Sequence, residues 1–260
     1  MHWQVDWAGV LSGQPLLWII SGFLTTLYVT VAGCLLATLI TMLMLALRLT
    51  PGRIGRGLVA VYVSIFRNTP LLVQLLFWYF AAWSALPQTW RLFIGEVHPW
   101  AVLPMNIPWL TPEFLCATWG LALFTAAFLI EEIQAGLNSV PAGQTEAAIS
   151  QGLNQWQLLR CVLLPQGLIN AWQPLIGQYL NLMKLSSLAS GIGFAELTYQ
   201  ISQIESYNAH ALEGFAVGTG LYLLLGIVMG SLMLLLGPKR RDRKQPRPLI
   251  IASVDNPAKD

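Results

Sequence analysis

Glu146–Pro165, EAAISQGLNQWQLLRCVLLP, is the polar interruption between two hydrophobic halves of the chain. From Ser139 onward the pattern predicts two short helices. Ser139 is placed to cap the first, with Pro141 in its first turn and the helix formers Gln144, Glu146, Ala147 and Ala148 behind it. Gly152 either ends that helix or lets a neighbouring backbone approach closely. Asn154 with Gln157 three residues later makes a capping box for the second helix. That helix carries Trp156, Leu159, Val162 and Leu163 as an apolar stripe until Pro165 breaks it. A short amphipathic helix with a large aromatic suits a groove on a partner. A plain connecting loop with two interfacial helices fits the same residues equally well.

The surroundings place this segment beside a membrane. Of 260 residues, 55% are apolar and only 10% charged, and the mean hydropathy is +0.60; soluble domains carry about 25% charged residues. Trp18 to Leu47 is a first uncharged run, longer than the ~20 residues a helix needs to cross the hydrocarbon. Its threonines, Thr25, Thr26, Thr30, Thr38 and Thr41, can bond back to their own helix. After Arg48, Arg53 and Arg56, residues 57–66 read as an amphipathic helix. Asn68 or Thr69 then caps a second span with Pro70 at its first position. The prolines and tryptophans of 87–113 make an aromatic loop or a short re-entrant piece. The composition therefore predicts an all-α integral membrane protein with five transmembrane helices, at about 18–47, 69–86, 114–133, 174–191 and 215–236. The loop 140–165 lies between the third and fourth helices. Residues 1–238 form this transmembrane domain, and 239–260 form a basic tail, expected to be disordered.

Five spans put the termini on opposite sides. Arg48, Arg53, Arg56, Arg160 and the tail cations from Lys239 to Arg247 share one side, against Arg91 on the other. The positive-inside rule makes the basic side cytoplasmic and the N-terminus periplasmic. No cleavable signal peptide is expected, since Asp6 stands where a basic region belongs. Cys34, Cys116 and Cys161 are too far apart for a CxxC pair and read as small packing residues. His2, His98 and His210 have no metal spacing, so neither a metal nor a catalytic centre is expected.

One further group invites a transport role. Gln178, Asn181 and Lys184 share a face of the fourth span at i, i+3 and i+6, and such residues are costly unless they meet protein or water. This face is the candidate solute path, with Gln74 from the second span as companion. Lys184 either attracts a carboxylate or serves the structure. Ser186, Ser187, Ser190, Gly191 and Gly193 suit close packing, or an unwound turn presenting amides to an anion. Arg67 reads as an interfacial anchor, and Glu131 as the partner of a loop arginine.

Neither HExxH, GxSxG nor GxxxxGK[ST] is present, so the chain is not expected to be an enzyme or to hydrolyse ATP. No internal repeat of the kind that marks many secondary transporters is evident. A channel or scaffold remains open on composition alone.

The spacing Glu146-Ala147-Ala148, three residues, Gly152, nine residues, Val162, any residue, Leu164-Pro165 resembles the signature of inner-membrane permeases of bacterial ABC importers. Phe66–Gln74, Phe124–Ala127 and Ser139–Gln144 narrow the likeness to the polar amino-acid branch. Asn181–Lys184 and Tyr207–Ala211 look most like glutamate and aspartate permeases. The likeness departs at Gln134, where relatives carry Arg, and at Leu185, where they carry Asn. The resemblance implies that Glu146, Ala147, Ala148, Gly152, Trp156, Val162, Leu164 and Pro165 dock into an ATP-binding subunit present in two copies. ATP and Mg would be held on that partner, with no cofactor on this chain. It also implies a second permease chain, identical or similar, and a periplasmic amino-acid-binding protein that meets loops 87–113 and 197–213. No nucleic-acid partner is expected.

Overall fold

The computed structural model describes residues 6–49 and 52–238. His2, Trp3, Pro51 and the basic tail from Lys239 lie outside the described residues. The chain opens with a single turn, α1 (Ala8–Leu11), followed by α2 (Gly13–Leu49) of 37 residues, about 55 Å long at 1.5 Å per residue. Its length exceeds the hydrocarbon core, so it tilts or overhangs, as the uncharged run anticipated at slightly narrower bounds. Thr25, Thr26, Thr38 and Thr41 donate to the carbonyls of Ser21, Gly22, Cys34 and Ala37, four residues back, at 2.7–3.0 Å. This closes each hydroxyl within the helix where no water is available.

A second helix, α3 (Arg53–Asn68), and a third, α4 (Leu71–Leu76), meet at a 106° elbow. Here the expected capping is reversed. Thr69 Oγ1 and Asn68 Nδ2 donate back to the Ile65 and Ser64 carbonyls, finishing α3, and Pro70 occupies the N-cap position of α4 with no side-chain cap. The bonds come instead from the far side. Gln74 Nε2 donates to the Phe66 and Thr69 carbonyls and to Thr69 Oγ1 at 2.7–3.1 Å, satisfying the end of α3 that the proline leaves open. Beyond Leu76 the helix widens into a π segment, Phe77–Ala82, and ends in turns. The stretch expected as one span to 86 is thus helical through Ala82 and closes in hydrogen-bonded turns.

The aromatic loop holds α5 (Gln88–Gly95) and a two-residue hairpin, β1 (Val102–Leu103) against β2 (Ile107–Pro108), the strands among the described residues of an otherwise helical chain. Then α6 (Pro112–Asn138) begins under a cap in which Thr111 Oγ1 accepts the Phe114 N–H. This is the central helix. Two thirds of its most apolar window (67%) is buried, against 33% for α2. The largest core cluster joins Val29 and Ala37 of α2, Leu75 of α4 and Leu121, Ala126 and Leu129 of α6 to the helix after the loop.

That helix is the largest departure from expectation. α7 (Ala142–Ser150) and α8 (Gln155–Leu158) are followed by a π segment, Leu159–Leu163, which runs without a break into α9 (Leu164–Leu185). Pro165 does not end a helix and Pro174 does not start one. The Leu164 N–H bonds the Leu159 carbonyl, five residues back, and this widened turn makes room for the Pro165 ring that a regular turn would press onto the preceding carbonyl. α9 continues as seven residues of 3₁₀ helix, Ser186–Ile192, before α10 (Leu197–Asn208) and α11 (Ala211–Leu236).

Among the described residues, α2, α6 and α11 are long and apolar enough to cross a membrane, and the bent pair α3–α4 makes a fourth candidate. α9 has the length, with 22 residues, but carries too many amides to qualify by hydropathy.

At one end of the bundle, Glu196 is wholly buried. Its carboxylate accepts the Thr198 and Tyr199 N–H groups that open α10 and the Tyr222 hydroxyl of α11, at 2.6–3.0 Å. Thr26 of α2 accepts the Leu197 N–H. Burial pushes the Glu196 carboxyl up from its ordinary value of 4.5, against these bonds, which favour the ionised form.

Two predictions follow from this packing. The backbones of α6 and α9 touch at Gly136 and Gly167. A Cβ on Gly136 would collide with the Gly167 carbonyl and lie 2.7 Å from the Ala171 Cβ. Gly136→Val should cost ~4 kcal/mol or more and abolish a cooperative melt of the detergent-purified chain. For Glu196, the folded state holds the proton at a higher pH than the unfolded state. Its contribution to stability is thus present below pH 4.5 and declines as pH climbs from there through the folded value. Glu196→Gln should remove that slope from melting temperatures measured across the acid range.

Candidate functional site

The 140–165 loop is built from local rules at its centre and from tertiary contact at its two ends. α7 finishes in a full Schellman motif: Gly152 has φ +79°, its N–H bonds the Ile149 carbonyl, and the Leu153 N–H reaches the Ala148 carbonyl. No atom lies within 4 Å of where a Gly152 Cβ would sit, so the glycine is required by its backbone conformation and no neighbouring backbone crowds it. Two residues later the capping box is present in both directions. Gln157 N–H donates to Asn154 Oδ1 at 2.9 Å, and Asn154 N–H to Gln157 Oε1 at 3.0 Å. Ser139 does not cap α7: its hydroxyl donates to the Gly136 carbonyl, closing α6, and accepts Asn170 Nδ2 of α9 at 2.9 Å. One hydroxyl therefore ties both ends of the loop, next to the glycine contact.

The loop's surface divides accordingly. Ala148 is buried, while Glu146, Ala147, Gly152 and Pro165 are exposed. Val162 and Leu164 are half-buried against their own chain. Trp156 is 63% exposed and Ile149 59%. A tryptophan this open on a rigidly capped turn buries apolar area only when something covers it. Cys161, expected to pack, is exposed; Cys116 is buried beside the Trp78 carbonyl.

Directly above the loop, the carboxylates of α6 tie three helices. Glu131 takes Arg67 of α3 at 3.4 Å and Arg48 of α2 at 3.9 Å. The Arg67 guanidinium also lies 5.1 Å over the Phe128 ring. Each exposed pair is worth ~1 kcal/mol or less. Glu132 accepts Gln178 Nε2 of α9 at 3.1 Å.

The polar stripe of α9 separates into two parts. Gln178 turns toward α6 and Glu132, whereas Asn181 and Lys184 are exposed, in line with Gln173 and Gly177. Gln74 does not join them: its amide nitrogen is committed to the elbow, and its buried Oε1 has no partner. Lys184 lies instead at a cavity of about 250 Å³, lined also by Ser187, Thr198, Phe215, Thr219 and Tyr222. The Ser187 hydroxyl bonds back to the Lys184 carbonyl, and Thr198 and Tyr222 are held by each other and by Glu196. This wall was missed in sequence. The only local signal was a lone acid, Glu196, in an otherwise uncharged stretch from Leu185 to Ile204. The Ser187, Thr219 and Tyr222 hydroxyls spend their protons on protein acceptors, and Thr198 bonds Tyr222, so the Lys184 ammonium is the cavity's donor for an anion, with no carboxylate at the lining.

Comparison with known proteins assigns the chain. Residues 39–242 match the family of binding-protein-dependent transport system inner membrane components. The glutamate/aspartate import permease protein GltJ of Escherichia coli (strain K12) is 35% identical over 225 residues, covering 86% of this chain and 87% of its own. The glutamine transport system permease protein GlnP of the same strain is 29% identical, with 88% and 95% covered. Among solved structures, an amino acid ABC transporter crystallised with histidines superposes with a TM-score of 0.72 at 27% identity, over 90% of this chain and 98% of that one. A MetNI methionine ABC transporter in an inward-facing conformation shares the fold, with a TM-score of 0.62. The chain belongs to the inner-membrane components of binding-protein-dependent transport systems, as a multi-pass permease of an amino-acid ABC importer.

Proposed function

We propose that this permease carries an acidic L-amino acid along the open face of α9. The observation that carries the reading is Lys184 at a hydroxyl-lined cavity of about 250 Å³, in a helix whose other exposed residues are amides and small side chains. An ammonium in membrane surroundings must meet protein, water or an anionic ligand. A side-chain or α-carboxylate supplies that anion, and the 35% identity to a glutamate/aspartate permease favours the side-chain one. The glutamine permease among the relatives keeps a neutral polar amino acid as the second reading.

In this reading the helix count is five. α9, with its 3₁₀ extension, is the span that hydropathy misses, because its polar face lines a path and does not touch lipid. Arg48, Arg53, Arg56, Arg160 and the tail place the loop in the cytosol, the N-terminus in the periplasm and the tail inside. The loop is the docking element for an ATP-binding subunit in two copies, which holds ATP and Mg. Glu146, Ile149 and Trp156 form its contact surface, and Gly152 and the capping box fix the shape presented. A second permease chain, identical or similar, closes the path opposite Asn181 and Lys184. A periplasmic binding protein delivers the amino acid at the outer loops. Closure of the motor subunits pushes the loop, and the tie between Ser139, Gly136 and Asn170 passes that push into α6 and α9 together.

Competition of labelled glutamate uptake by other amino acids tests the substrate, with aspartate expected to compete and glutamine not. Lys184→Met should weaken apparent affinity for glutamate by about tenfold or more, as loss of a charged hydrogen bond does. Unchanged affinity and rate would remove Lys184 from the path. For the docking reading, Glu146→Lys and Gly152→Asp are each expected to abolish co-purification with the ATP-binding subunit and amino-acid-stimulated ATP hydrolysis. Intact assembly in both would refute it.

A further inference from the structure

We infer that α3 is a binding surface for anionic phospholipid headgroups, with Arg53 and Arg56 as the headgroup contacts. At about 100° per residue, α3 presents three stripes about 120° apart. Gly55, Val59 and Val63 are buried against α2 and α6. Ile54, Leu58, Val61 and Ile65 form a second apolar stripe at i, i+4, i+7 and i+11, and they are 81%, 57%, 58% and 54% exposed. The third stripe is polar, with Arg53, Arg56, Ser64 and Arg67. An ordinary surface helix has one apolar face and one polar face. A helix with two apolar faces and one basic face fits three surroundings: protein, hydrocarbon and the charged boundary between hydrocarbon and water.

The setting agrees. The 106° elbow means that α3 and the segment that follows cannot both run along the bundle axis. The neighbouring end of α2 also exposes apolar side chains, at Leu39, Met42, Leu43 and Leu49. The charges distinguish an anionic headgroup from bare hydrocarbon. Arg67 is occupied by Glu131 and Phe128. Among the described residues neither Arg53 nor Arg56 has an acidic partner; the Arg56 Nε–H donates to the Gly52 carbonyl, and both side chains are exposed beside Ile54. Arginines flanking an inserted stripe reach phosphates while their stems stay in the apolar layer. The inference requires that the chain spans a membrane, which its family establishes, and does not depend on which amino acid is carried.

Native mass spectrometry of the full, detergent-purified chain, titrated with phosphatidylglycerol and separately with phosphatidylcholine, tests it. The unmodified chain should prefer phosphatidylglycerol, and R53Q/R56Q should lower that preference on the order of tenfold. R53E/R56E should abolish it. Both arginines are exposed, so melting temperature should stay unchanged. The basic tail is the competing site, so a chain ending at Pro238 is run in parallel and should retain most of the preference. If the preference vanishes with the tail and survives R53E/R56E, the inference fails. It also fails if no preference exists and Leu58→Asn instead disrupts self-association, since the stripe would then be a contact between copies of the chain.

Discussion

The backbones of α6 and α9 touch because neither carries a side chain where they cross. A Cβ on Gly167 would lie 2.6 Å from a Leu137 methyl and 2.9 Å from the Leu137 Cα, and Gly136 is crowded from the opposite direction. In lipid, helices gain little from hydrophobic attraction to one another, so close backbone approach and short hydrogen bonds supply the association. The contact sits close to the bond between Ser139 and Asn170, and Glu132 joins Gln178 further along the same pair of helices. The two helices that bracket the polar loop are thereby fused at its base. Movement of the loop relative to one helix alone would break this cluster.

What was legible in the chain beforehand follows from how local each constraint is. The uncharged run at Trp18–Leu47 announces its helix because unpaired backbone groups are intolerable in hydrocarbon. Gly152 and the Asn154–Gln157 pair announce theirs because a left-handed residue and a reciprocal cap act within five residues. The prolines misled for the opposite reason. Whether Pro165 ends a helix depends on whether the preceding turn can widen, and it does, at Leu159–Leu163. Thr69 could bond forward or back; the choice is settled by Gln74, which takes the open carbonyls from the other side of the elbow. Ser139 is claimed by Asn170, thirty-one residues away. The candidate path was legible as an i, i+3, i+6 pattern, and its partition was not. Gln178 bonds Glu132, and only the bundle places Lys184 beside Thr198 and Tyr222.

Polar groups in this bundle are kept in two ways. Many are closed within the helix that carries them: Thr25, Thr26, Thr38 and Thr41 of α2, and Ser186, Ser187 and Ser190 bonding three residues back along the 3₁₀ stretch. A few bridge elements: Thr26 to the start of α10, Glu196 to α11, Glu131 to α2 and α3. Two more bridges join helices at their middles, Thr38 of α2 with the Tyr179 hydroxyl of α9 and the Tyr62 hydroxyl of α3 with the Leu123 carbonyl of α6, each at 2.6 Å. One stripe of α9, with Gln173, Asn181 and Lys184, instead leaves its polar side chains exposed.

α11 is the last of the described helices and the least buried of the three long apolar ones: only 6% of its most apolar window is covered by the rest of the chain. Yet Phe215, Gly218, Thr219 and Tyr222, all on α11, form one wall of the cavity beside Lys184. During synthesis, α2 through α9 can enter the bilayer and pack while that wall is still missing. The lysine then spends this interval facing lipid or water. The cavity beside the lysine therefore comes into being only when α11 has entered the bilayer and docked laterally against the helices made before it.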